Sequence, residues 1–265
     1  MQGIDERTYL VPQLPCVASM SYTGQMPTWQ VAGCRLTVFV APDTVVPATL
    51  WRDTVGEDPE TTTTQRSAGV RVEKGSFGNG NLTLTVQPMR IDWGYDPLPA
   101  LSTSVDVLGD FPAAADPLLI FAKRWVRDGW YPITTRIALG LVLISPTTDR
   151  KTGYEELSRF VDGVPSAVDA TDFLYQVNRP RPSSAGLAGL RVNRLAKWAV
   201  AGLRLVALAG GPQNSMSAES YNVHLELDIN TNPDYGVQIP RESVELVIDD
   251  LFAAAREVAE QGSRG

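Results

Sequence analysis

Between Tyr221 and Ile229 the chain alternates without a fault. Tyr221, Val223, Leu225, Leu227 and Ile229 fall on one side, and Asn222, His224, Glu226 and Asp228 on the other. A period of two over this length predicts a half-buried β-strand. Other stretches read the same way. Arg35–Val40, closed by Ala41-Pro42, predicts a strand, as do Val17–Tyr22, Arg136–Ile144 and Phe173–Val177. Val70–Glu73 and Leu82–Val86 predict a hairpin joined by the glycine-rich Gly75–Gly80, with the second arm running on through Met89–Trp93 past a bulge or edge at Pro88. Leu203–Leu208 is expected to pair with Tyr221–Ile229 across Gly210–Asn214.

The period of 3.6 marks the helices. Leu118, Phe121, Ala122, Trp125 and Val126 form one apolar stripe behind Asp116-Pro117, a favourable helix start, and Gly129 stops it. Val244, Val247, Ile248, Leu251, Phe252, Ala255 and Val258 form the strongest stripe in the chain. Short helices are expected at Pro47–Trp51 and Tyr154–Val161. Glu57–Arg66, with four consecutive threonines, has nothing to bury and reads as a mobile loop.

Two long hairpins, Val70–Trp93 and Leu203–Ile229, each precede a loop and a helix. The pattern predicts an α+β protein: two related strand-strand-strand-helix units, 1–132 and 133–265, forming antiparallel sheet with helices packed on one face of a single pseudo-duplicated domain. The spacing between the matching features is not constant, so strict repetition does not follow. A pseudo-twofold between the units would bring Asp92 and Asp228 towards each other.

Composition narrows the function classes. With 43% hydrophobic and 20% charged residues the 265-residue chain can build a sizeable core. A net charge of -7 disfavours general nucleic-acid binding, which needs a basic surface, and suits a basic protein partner. The apolar run Trp198–Gly211 is too short to span a bilayer and contains Arg204. The first residues lack the basic and apolar regions of a signal peptide, so the expected location is cytoplasmic. Cys16 and Cys34 form no Cys-x-x-Cys pair; they read as two reduced buried thiols, with a disulfide as the alternative. The six tryptophans are scattered, as core anchors are.

His224, Glu226 and Asp228 are the candidate catalytic or metal residues. They stand about 7 Å apart on one strand face, and imidazole with carboxylates suits a divalent metal or acid–base chemistry. The plainer reading is a solvated strand face. No Gly-x-Ser-x-Gly elbow and no Pro-Cys-x-x-Cys accompanies the histidine, so the nucleophilic hydrolase and zinc deaminase patterns fail. Gly75, Gly78 and Gly80 lead into a strand and not a helix, which removes the phosphate-loop reading. Arg179 and Arg181, followed by Arg191, Arg194 and Lys197, make the one basic cluster. It can hold an anion, or it is a solvated, proline-stiffened linker.

Arg90–Trp93 after a hairpin, Arg136–Leu141 after a helix, Phe173–Arg179, and Leu225–Ile229 before the last helix occur in an order that resembles a sporadically distributed, functionally uncharacterised family of bacterial proteins of similar length. The resemblance supplies no catalytic residues. It implies a stand-alone cytosolic protein of patchy distribution, as defence or toxin-related genes often show, and together with the acidity and the missing catalytic motifs it points to a protein partner, with an antitoxin, immunity or defence accessory subunit as the setting. The expected function is therefore non-catalytic binding with no resident cofactor, and a homo-oligomer is compatible with it. The alternative is a metal-dependent enzyme or small-ligand sensor built on His224, Glu226 and Asp228.

Overall fold

The computed structural model describes residues 28–100, 104–162, 164, 172–208 and 215–264, with the backbone alone over 204–208 and 215–218. The elements run β1 (Gln30–Val40), α1 (Leu50–Val55), β2 (Thr61–Gln65), β3 (Val70–Phe77), β4 (Gly80–Gln87), β5 (Arg90–Pro97), β6 (Gly109–Asp110), α2 (Asp116–Asp128), β7 (Thr134–Thr147), α3 (Arg150–Phe160), β8 (Leu174–Asn178), β9 (Arg181–Pro182), β10 (Arg191–Leu208), β11 (Ser215–Thr231) and α4 (Arg241–Gln261). All the strands join one antiparallel sheet in the order β2-β3-β4-β5-β1-β7-β11-β10-β8, with β6 beside β1 and β9 beside β10. The fold is α+β, as the two periodicities predict.

The sheet has one apolar face and one polar face because each strand alternates in step with its neighbours. Leu84, Trp93, Leu36, Leu139 and Ile229 form one cross-strand row, and all five are fully buried. The helices cover this face. Trp93 packs against Trp51 of α1 at 5.9 Å between ring centroids, and against Phe121 and Trp125 of α2 at 4.7 and 5.8 Å. Val244, Val247, Ile248, Leu251, Ala255 and Val258 of α4 lie in the same core. Each large apolar side chain so buried contributes about 1.5–3 kcal/mol, which fixes which face the helices take.

The first half forms β2 to β5 and β1; the second forms β7, β11, β10 and β8. In both, the last strand of the meander returns beside the first, β5 on β1 and β11 on β7, and a helix follows. This is a correspondence of order, not a demonstrated duplication. Asp92 and Asp228 do not approach each other: β1 and β7 lie between their strands, three interstrand steps of about 4.8 Å.

Several expectations are corrected. Tyr221–Ile229 is an arm of the β10–β11 hairpin, but it pairs there with Arg194–Gly202, upstream of Leu203–Leu208, and on its other side with Leu139–Thr147, so it lies inside the sheet. Arg90–Pro97 is a strand of its own, turned back on β4 at Pro88-Met89, because Met89 adopts φ 61° and reverses the chain. Thr61–Gln65 is not a loop but an edge strand on β3. The short helix near Trp51 runs Leu50–Val55. Val17–Tyr22, Cys16 and the turn at 209–214 lie outside the described residues. Cys34 is a buried thiol, its pKa pushed far up by burial and then by the charge of Asp96. No helix among the described residues is long and apolar enough to cross a membrane.

Candidate functional site

The polar face of the sheet carries a trough of about 430 Å³. Two neighbouring cross-strand rows build it. In the first, Glu226 of β11 stands beside Val142 of β7, Val142 beside Gly33 of β1, and Asp96 of β5 closes the row, its Oδ1 2.9 Å from where a Gly33 Cβ would stand. In the second, Asp228 stands beside Gly140, Gly140 beside Arg35, and Arg35 beside Gly94. Gly33, Gly94 and Gly140 leave the floor without side chains. Glycine weakens a strand interior, and it recurs where another group approaches the backbone closely.

Arg35 is the cation in this frame. Its side chain is 56% exposed and its Nε lies 3.8 Å from Asp92 Oδ1. One of its terminal nitrogens lies 3.6 Å from the place a Gly140 Cβ would take, so the guanidinium extends over the glycine. Asp92 is largely satisfied elsewhere, by Arg90 at 2.8 Å and by the Thr37 hydroxyl at 2.5 Å. Asp96 makes no hydrogen bond among the described residues. Partial burial in the trough pushes its pKa up, and Lys74 and Arg35 oppose that from a distance. Beyond Asp92 the face becomes basic, with Arg90 and Arg136 over the Phe39 ring at 5.8 and 4.9 Å.

The three residues singled out on β11 share this face but do not converge. Glu226 accepts a bond from Lys197 Nζ at 3.1 Å, and Asp228 from Asn230 Nδ2 at 2.9 Å. His224 lies outside the trough, between Ile144 of β7 and Ala199 of β10, and its ring makes no hydrogen bond among the described residues. Burial pushes its pKa down, helped by Lys197 and opposed by Glu226. Among the described residues no group of three His, Cys, Asp or Glu side chains stands ready for a metal ion.

Arg179 and Arg181 are engaged inside the protein. Arg179 Nε donates to the Ser263 carbonyl at 2.7 Å. Arg181 meets the buried Asp250 at 2.7 Å, and Asp250 also accepts from the Ser183 hydroxyl and the Ser184 N–H. Arg194 is bound to Glu257 at 3.2 Å. The cluster clips the β9 and β10 edge to α4. Nothing in the local sequence pattern groups Arg35, Asp96 and the three glycines into one site. An interior glycine in each of three apolar strands is the signal that could have drawn attention to them.

No family model, no curated protein and no solved structure matches the chain.

Proposed function

We propose that the protein is a non-catalytic binding protein whose recognition surface is the open face of the sheet, and that its partner is a protein presenting basic side chains. The trough carries this reading. Asp96, Glu226 and Asp228 line it together with the cation Arg35, and among the described residues Asp96 makes no hydrogen bond. An arginine or lysine of a partner would give these carboxylates charge-assisted bonds, and a net charge of -7 would speed the encounter. An accessory, antitoxin or immunity role is one setting for such a protein.

Affinity capture from the native host with the wild type and with the triple variant Asp96→Asn, Glu226→Gln, Asp228→Asn tests it. The expected result is a specific partner held by the wild type and lost by the variant. No partner, or the same partner held by both, overturns the reading.

The trough is also within the size range of small-ligand sites, about 300–1,000 Å³. A separate metal-dependent or acid–base reading on the β11 face, using His224, Glu226 and Asp228, requires stoichiometric divalent metal in the purified protein or an effect of His224→Ala on function.

A further inference from the structure

Strand β2 ends the sheet. It pairs with β3 on one side and, among the described residues, has no strand on the other. All five of its residues are exposed, so neither face of the strand buries anything. What the strand offers outward is backbone. Alternate N–H and C=O groups of an edge point away from the sheet and can template another strand. Folded proteins usually blunt such an edge with charge, proline or a bulge. The opposite edge shows this treatment: β8 is followed at once by Arg179, Pro180 and the Pro182 of β9. Thr61–Gln65 holds no charge, no proline and no glycine, and its register with β3 has no break.

We propose that β2 is a homodimerisation edge, to which β2 of a second copy adds antiparallel about a twofold through Thr63. The sequence is complementary to itself under that operation. Thr63 meets Thr63, Thr62 meets Thr64 and Thr61 meets Gln65, while Glu60 and Arg66, which flank the strand, come near each other at both ends. Threonine opposite threonine is a favourable cross-strand pair, and so are opposite charges. Arg66 is exposed and its side chain makes no hydrogen bond or ion pair among the described residues. Glu60 is held in place beside the strand, accepting from the Ser76 N–H at 2.9 Å and from its hydroxyl at 2.5 Å. Those bonds also keep its carboxylate ionised. A twofold contact uses the same patch on both subunits, which is what this symmetry of sequence provides. The two sheets would become one, and the trough would stay open on each copy.

Five residues a side bury far less than the ~1,600 Å² of a standard interface, so the association is weak. Sedimentation velocity on the full chain tests it over concentrations from about 10 μM to about 1 mM, the range of a weak dissociation constant. The wild type is expected to pass from monomer to dimer. Thr63→Lys sets two ammonium groups opposite each other across the axis, and Arg66→Glu sets carboxylate against Glu60. Each is expected to weaken the dimer about tenfold or more, the size of a lost charge complement in a strand pair. Both positions are exposed, so the far-ultraviolet circular dichroism and melting of the variants should match the wild type. A wild type that stays monomeric throughout, or a dimer that either variant leaves intact, overturns the proposal.

Discussion

The guanidinium of Arg35 reaches over Gly140, which stands opposite it on the next strand, and a second glycine, Gly94, stands opposite on the other side. A side chain at 140 would occupy the trough that Arg35 now shares with solvent. The nearest atom to a Cβ there is 3.6 Å away and belongs to the flexible Arg35 side chain, so the Cβ of Gly140→Val makes ordinary contact and its methyl groups push the guanidinium aside. A β-branched residue also suits a strand better than glycine, and the expected stability change is a gain of about 0.5–1 kcal/mol. Partner capture should nevertheless be lost. Melting curves and the capture assay on this one variant separate a recognition surface from a merely structural one.

His224 is the only histidine, so a single imidazole signal reports it by nuclear magnetic resonance. Burial lowers its pKa, and the signal should titrate below the ordinary value of about 6.5. The sign for stability follows. The unfolded chain takes up this proton before the folded one does, so stability is full above about 6.5 and falls as pH drops towards the folded-state pKa. His224→Gln should flatten that part of a melting-temperature profile. A titration at or above the free value would contradict the burial of the ring.

Asp250 is the structural acid of the C-terminal helix. Burial alone would raise its pKa, but its bonds from Ser183, Arg181 and Ser184 outweigh that and hold it below the usual range. Its contribution is therefore present above about pH 4 and lost as pH falls through the lowered value. Asp250→Ala leaves a guanidinium, a hydroxyl and an N–H without their acceptor, at a cost of about 2–4 kcal/mol. Chemical denaturation at pH 7 measures it, and the difference from the wild type should shrink in acid.

Gly262, where α4 ends, has φ 64°, and a Cβ there would collide with the backbone of Phe160 at the end of α3. Backbone cannot swing aside as a side chain can, so Gly262→Ala should cost about 2–4 kcal/mol. Gly56 is the control. It also has a positive φ, 98°, but nothing lies within 4 Å of its Cβ position. Gly56→Ala should cost about 1 kcal/mol, the conformational part alone. Equal losses at the two sites would remove the packing argument.

Local pattern made the apolar faces legible. The alternation of Tyr221–Ile229 and the stripe of α4 named residues that the structure buries, because periodicity is a property of the segment itself. Pairing was not legible to the same degree. Arg194–Gly202 mixes Arg194 and Lys197 with alanines, and only its position between β11 and β8 makes it a strand. Thr61–Gln65 buries no side chain and is held by its ladder to β3. The trough was the least visible feature, since its floor consists of absent side chains on strands far apart in sequence. Glu226 and Asp228 were singled out for their own strand face, but Arg35 and Asp96 join them only through the register of β5, β1, β7 and β11.

The pairing of β1 with β7 has a consequence for how the chain comes into being. The strand nearest the N-terminus in the described sheet lies at its middle, and its neighbour β7 is separated from it by some hundred residues. While the ribosome is still making α1 to α2, β1 can join β5 but keeps its other flank bare. Only when Thr134–Thr147 emerges does that flank close, and β11 follows still later. Assembly is thus gated by the slow closing of long loops, and the nascent first half needs shielding until the second arrives.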